Sequence, residues 1–197
     1  MTREMLRFHH GGQVAQHDKE SRAIYLVSGI PGAGKTSVSR LLASRFERGV
    51  HIESDLLQEM IVTGGRGVAP DDEPENEARR QLRLRGRNAC LLADSFFEAG
   101  FTPVVDDVVV GFRLEHFLQD IKNRPLLFVL LAPRLDVVAR RDATRSEKHV
   151  FETWSFLDEV MRTETPRAGL WIDSSELTAE ETVAVILRDG WEKGRME

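Results

Sequence analysis

The stretch Gly29-Ile30-Pro31-Gly32-Ala33-Gly34-Lys35-Thr36 follows the apolar run AIYLVS (23–28) and opens a segment of helical period. It fits the pattern G-x-x-x-x-G-K-[ST], in which glycines turn the chain from a strand into a helix. Successive backbone N–H groups then converge on one point, and the helix adds its positive dipole end. The competing reading is a chance match in a glycine-rich turn, but all the fixed positions and the strand–helix context agree. Gly29, Pro31, Gly32, Ala33, Gly34 and Ser37 are expected to cradle phosphates. Lys35 is expected to reach the β- and γ-phosphates, and Thr36 to place its hydroxyl on Mg²⁺.

The rest of the chain has the rhythm such a turn requires. Short apolar runs recur at GVHIES (49–54), TPVVDD (102–107), PLLFVLL (125–131) and GLWID (169–173). Most are almost continuously apolar, as in strands covered on both faces. Helical periods fill 35–47, 55–62, 74–99, 113–121, 134–144, 152–163 and 178–191. This alternation predicts a three-layer α/β/α sandwich around a five-stranded parallel sheet. Residues 22–197 form that domain, with a helical lid at about 134–150. Residues 1–21 read as a flexible arm, and VTGGRGVAPDDEPE (62–75) as a long loop of the kind that is often functional.

The 197 residues carry 27 Lys and Arg against 32 Asp and Glu, a net charge of -5. That balance gives no general attraction for nucleic acid, so a bound polyanion must be held locally. The lone cysteine, Cys90, excludes an intrachain disulfide and an all-cysteine metal site. No apolar run approaches the ~20 residues of a membrane span. The N-terminus MTREMLRFHHGGQ has no apolar signal core. A cytoplasmic protein with no membrane partner is the expectation; composition leaves its oligomeric state open.

Ligands of open parallel sheets bind beyond the carboxyl ends of the strands. The second run ends Ile52-Glu53-Ser54-Asp55 and the third Val104-Val105-Asp106-Asp107. A carboxylate facing the γ-phosphate from a neighbouring strand can align an acceptor hydroxyl and take its proton. Asp55 is the expected base; the alternative is that Ser54 or Asp55 caps the following helix. Asp106 or Asp107 would serve the Mg²⁺ water shell. Strand phase favours Asp106, leaving Asp107 to face the acceptor.

Arginines gather in two places. On the helix around 74–99, Arg79, Arg80, Arg83 and Arg87 share one stripe about 100° wide, a solvated face. Ala78, Leu82, Ala89, Leu92 and Phe96 share another, the core face. Arg85 falls on the apolar side and needs a partner, either a core carboxylate or the substrate. The second group, Arg134, Arg140, Arg141 and Arg145, follows the fourth strand. Arg141 and Arg145 are expected to close on the nucleotide and stabilise the transferring group. A solvated amphipathic helix is the alternative.

GIPGAGKT, IESDLL, VVDDVV and VARRDATR together resemble small P-loop kinases, in particular the chloramphenicol phosphotransferase-like group, over roughly residues 22–190. The resemblance implies a nucleoside-kinase-like P-loop fold and phosphate transfer from a nucleoside triphosphate to a small-molecule hydroxyl, with Asp55 as base. It also implies that IDSSELTAEETVAVIL lies near the adenine, with Asp173, Ser174 and Ser175 in contact through backbone or hydroxyl groups. The phosphate loop departs from the serines common in that group, which points away from chloramphenicol as acceptor. The expected activity is an ATP-dependent small-molecule kinase, with GTP the alternative donor. The rivals are a nucleoside or nucleotide kinase and a P-loop switch or hydrolase. No glutamine beside the third strand is placed to position water for the latter.

Overall fold

The computed structural model describes residues 22–144 and 149–197. The arm at 1–21 and Arg145 therefore lie outside the described residues. Five parallel strands run in the order β2-β3-β1-β4-β5: β1 Ile24–Gly29, β2 Gly49–Glu53, β3 Thr102–Asp106, β4 Leu126–Leu131 and β5 Leu170–Ile172. Each matches an apolar run of the sequence. A sixth strand, β6 Arg195–Met196, pairs antiparallel with the start of β4. The sequence pattern missed it because two residues carry no period.

β1 and β4 are buried throughout and form the spine of the sheet. Phe128, Ile24, Leu26 and Leu127 are fully buried there, as expected for strands covered on both faces. Helices α1 Lys35–Ala43 and α8 Ala179–Lys193 pack together, and α3 Glu77–Glu98 packs with α4 Arg113–Asp120. The remaining helices are α2 Ser54–Glu59, α5 Leu135–Ala143, α6 Phe151–Trp154 and α7 Leu157–Thr163. The segment expected as one helix over 152–163 is thus two, broken at Ser155 and Phe156.

The inner face of α3 differs from its expected stripe. Ala78 and Ala89 are buried as anticipated, but Leu92 is 38% exposed. Gln81, Gly86, Cys90 and Ala93 are buried in its place. These residues are mostly small, so the helix lies close: a Cβ on Gly86 would stand 3.1 Å from the Phe117 ring of α4. On the expected arginine face, Arg83 chelates Asp120 of α4 and Arg80 pairs with Glu77, while Arg87 is exposed.

The Gln81 side chain ties α3 to the long loop. Its amide donates to the Gly64 carbonyl at 2.9 Å, and its oxygen accepts from the Arg66 amide at 2.8 Å. The loop is thereby anchored at one end, while most of its residues are exposed.

The turn from α1 into β2 is set by Gly49. A Cβ there would stand 1.8 Å from the Ala43 carbonyl oxygen, so α1 must stop at Ala43 for the strand to enter beneath it. Gly49→Ala should destabilise the protein by about 3 kcal/mol, the upper range for forced overpacking. Urea denaturation should show a lower midpoint at unchanged slope; an unchanged midpoint would mean the turn rearranges freely.

Candidate functional site

The phosphate loop lies at the carboxyl end of β1, in the middle of the sheet. Gly29, Gly32 and Gly34 all have positive φ, at 149°, 88° and 95°. A Cβ on Gly29 would lie 2.6 Å from the Leu131 carbonyl, and one on Gly32 would lie 2.8 Å from Val138. Side chains are thus excluded by both conformation and space. Gly34 caps α1 without a side-chain bond, and the first turn holds no acid. A helix start of this composition leaves its first-turn N–H groups to answer an anion from outside the helix. Lys35 Nζ donates to the Ile30 carbonyl at 3.2 Å, which folds the ammonium over the loop. Thr36 is half-buried and Ser37 exposed.

Strand register brings the acids to the same edge. Val27 of β1 stands beside Asp106 of β3, and Asp106 beside Glu53 of β2. Their side chains share a face of the sheet, as does His51, two residues before Glu53. His51 Nε2 lies 2.5 Å from Asp106 Oδ2. Glu53 is raised above the ordinary carboxyl range, first by burial, then by Asp106, with His51 opposing. Among the described residues no cluster of three metal-ligating side chains occurs. The oxygens of Thr36 and Asp106 suit a hard cation that keeps much of its water, which is the habit of Mg²⁺.

Asp107 turns the other way. Its side chain is 1% exposed, and it accepts from Arg85 Nη2 at 2.5 Å, Arg113 Nη2 at 3.1 Å and the Val108 amide at 2.7 Å. Arg113 also donates to the Val108 carbonyl. Burial alone would raise the Asp107 carboxyl; Arg113, then Arg85 and the amide, outweigh it and hold the group below its ordinary value. For Arg113 burial is the larger effect and pulls the guanidinium down. The expectation that Asp107 faces the acceptor is corrected here: the carboxylate lies beneath the cleft, enclosed by its arginines.

Arg85 points inward, as its place on the apolar side of α3 required, and both partners are carboxylates. Its Nη2 holds Asp107, and its Nη1 holds Asp55 at 2.7 Å. Asp55 sits in the first turn of α2 with its side chain 72% exposed. The capping alternative is not seen. Glu53 is the cap residue of α2 and makes no side-chain cap bond, while Asp55 is paired with Arg85.

Across the loop, Arg141 of α5 links the phosphate loop to the segment after β5. Its Nη1 donates to the Ala33 carbonyl at 3.4 Å and its Nη2 to the Ser174 carbonyl at 2.9 Å. The Arg134 amide donates to Ser175 Oγ at 2.8 Å. Asp173 accepts from the Ser175 hydroxyl and amide, which hold its carboxyl below the ordinary range. The Asp173 carboxylate is therefore occupied within its own turn.

Two members of the site escaped the sequence reading. His51 stands in mid-strand, where alternation with Glu53 was the available signal. Arg113 begins α4 within the segment 107–116 that the sequence places beside the acceptor, but nothing in the sequence singled it out from that segment.

The Zeta toxin family pattern matches residues 10–78, which include the phosphate loop and Asp55. No curated protein matches the chain by sequence. Three solved structures show the architecture. A Deinococcus radiodurans tunicamycin resistance protein aligns with TM-score 0.64 and 18% identity over 90% of this chain and 99% of its own. A sugar kinase from Janibacter sp. HTCC2649 gives 0.59 and 20%, over 86% and 96%. Shikimate kinase from Acinetobacter baumannii, in complex with shikimate, gives 0.56 and 20%, over 86% and 93%. The chain shares with these structures a fold of parallel strands flanked by helices. None of these matches is a chloramphenicol phosphotransferase. Among the described residues no helix is long and apolar enough to cross a membrane.

The buried triad generates a pH prediction. Because the Asp107 carboxyl is lowered on folding, its contribution is complete above the ordinary aspartate value of 3.8. It is lost as pH falls through the folded value. Asp107→Asn should cost about 3–5 kcal/mol at pH 7, since it leaves two guanidiniums without their buried anion. Its stability should also fall less than the wild type's between pH 5 and pH 3. Denaturant titrations at both pH values measure this, and parallel losses in the two proteins would remove Asp107 as a folding determinant.

Proposed function

We propose that the protein is an ATP-dependent kinase that transfers the γ-phosphoryl group to a hydroxyl of a small molecule. The observation that carries this is the exposed Asp55 carboxylate, steadied by Arg85 at 2.7 Å. It stands in the first turn of α2, just beyond the end of β2 that register aligns through Asp106 with the end of β1. The P-loop kinase fold supports the reading, and so does the kinase activity in the names of the sugar and shikimate enzymes.

Phosphoryl transfer asks little covalent chemistry of the protein; positioning and charge stabilisation dominate. The amides of Gly32, Gly34, Lys35 and Thr36 and the Lys35 ammonium bind the phosphates, while the Ala33 amide holds the turn closed on the Ile30 carbonyl. Thr36 and Asp106 would hold Mg²⁺, with His51 fixing the orientation of the Asp106 carboxylate. When bound, the cation neutralises charge on the phosphate oxygens. Arg141 already joins the loop to Ser174, so it steadies the nucleotide between them, and Arg145 adds a further positive group from the lid. Ser174 and its neighbour Asp173 line the base through main-chain groups, consistent with the occupied Asp173 carboxylate. Asp55 orients the acceptor hydroxyl and accepts its proton. Arg85 frames the acceptor side, and Asp107 supports it from below rather than touching the acceptor.

Two variants test this with a panel of hydroxyl compounds, following ADP release. Asp55→Asn should lower acceptor-dependent kcat by 10²-fold or more, within the ~10²–10⁴-fold range of general-base catalysis, while the affinity for ATP stays within about twofold. Full turnover in that variant would take Asp55 out of the chemistry. Lys35→Ala should weaken both ATP binding and transfer. If ADP forms at one slow rate whatever acceptor is added, a hydrolase replaces the kinase.

A further inference from the structure

Arg85, Asp107, Arg113 and Asp55 form a chain of opposite charges whose members are unequally buried. The side chains of Arg85 and Arg113 are 13% and 16% exposed, and Asp107, between them, is 1% exposed. One buried anion thus serves two buried cations. The second anion is Asp55, which lies largely in solvent. Arg85 Nε is buried without a hydrogen-bond partner among the described residues, so the guanidinium is not fully satisfied in its present seat.

This arrangement bears on the role proposed for Asp55. Its carboxylate is held on Arg85 Nη1 at 2.7 Å and must leave that seat to turn fully to an acceptor hydroxyl. If Asp55 turns to the acceptor hydroxyl, the Arg85–Asp107–Arg113 group is left with an uncompensated positive charge in a largely buried place, which is costly. A neutral acceptor provides no replacement. An acceptor with its own anion does, since a planar guanidinium receives carboxylate or phosphate oxygens well.

We infer that the acceptor is a hydroxyl compound bearing a carboxylate or phosphate group, which takes the place of Asp55 on Arg85 and so releases Asp55 toward the hydroxyl. This rests on the kinase reading above and narrows its substrate class. Arg85 keeps its bond to Asp107 throughout, so the exchange occurs at Nη1 while Nη2 stays anchored. Arg113 keeps Asp107 neutralised and does not meet the ligand.

The test separates binding from turnover. The full-length protein is first loaded with Mg²⁺ and a non-hydrolysable ATP analogue, so that the phosphate loop is filled. Malonate and methyl phosphate are then titrated by calorimetry, with malonamide as the neutral counterpart. At least one dianion should bind saturably and malonamide should not; which dianion binds distinguishes carboxylate from phosphate. Arg85→Gln should weaken the binding at least tenfold. Asp55→Asn alters an exposed side chain and removes the competing carboxylate, so it should tighten the same binding severalfold, which a merely structural ion pair would not do. No dianion binding overturns the inference. So does binding indifferent to both substitutions, which would be an adventitious ion only.

The turnover arm compares glycerate with glyceramide and glucose 6-phosphate with glucose, following ADP. Faster ADP release only with the neutral members leaves the kinase standing and overturns the anionic acceptor. Dianion binding that responds to Arg85 and Asp55, with no acceptor raising ADP, supports the anion site and counts against the kinase reading.

Discussion

The carboxylate of Asp107 is enclosed by the end of β3, the middle of α3 and the start of α4. Three elements far apart in sequence meet on it: Arg85 comes from α3, Arg113 from α4, and the Val108 amide from the chain leaving β3. A single anion placed there fixes the direction in which α3 crosses the sheet, because only one rotation of the helix aims Arg85 inward. The small residues facing the core from α3 have the same effect, letting the helix lie close enough for Arg85 to reach. Through the other arm of Arg85 that geometry extends to Asp55 in α2. The acceptor side of the cleft is thus positioned by buried charge rather than by apolar packing alone. Buried ion pairs contribute little net stability, but they penalise every arrangement that separates the partners.

The nucleotide side is built differently. There the determinants are main-chain groups: the glycine turns of the phosphate loop, the carbonyls of Ala33 and Ser174, and the amides at the start of α1. Backbone donors are fixed by the fold and need no side chain to orient them. This explains why eight consecutive residues, Gly29–Thr36, carry so much of the reading, whereas the acceptor side draws on residues from 55 to 113. The two halves meet where Asp106 stands beside Val27 in register.

This difference also accounts for what the sequence made legible. Strands β1 to β5 were readable because strands covered on both faces are nearly continuous apolar runs. The phosphate loop was readable because its requirements are local. Arg85 was readable as an inward arginine because helical period gives its angle, but not which carboxylate it meets, since that depends on how α3 packs on β3. Leu92 was misplaced for the related reason that a stripe of alanine, glycine and cysteine bears the contact, and period alone does not rank small residues above leucine. His51 and Arg113 were invisible because each is defined by a partner on another element, at Asp106 and Asp107.

The adjacent pair Asp106-Asp107 shows how far neighbouring residues of one type can diverge. Strand alternation sends the two side chains to opposite faces of the sheet. Asp106 meets His51 and the phosphate-loop edge; Asp107 meets two guanidiniums. A carboxylate beside an imidazole at a strand end keeps oxygen lone pairs for a hydrated cation, whereas one enclosed by two arginines and an amide has little accepting capacity left. The metal-side and acceptor-side duties therefore separate at a single peptide bond. A one-residue slip in β3 would send each carboxylate to the other's face, taking Asp106 from the imidazole and Asp107 from its guanidiniums. The register of β3 between β1 and β2 is consequently as much a determinant of the site as any side chain in it.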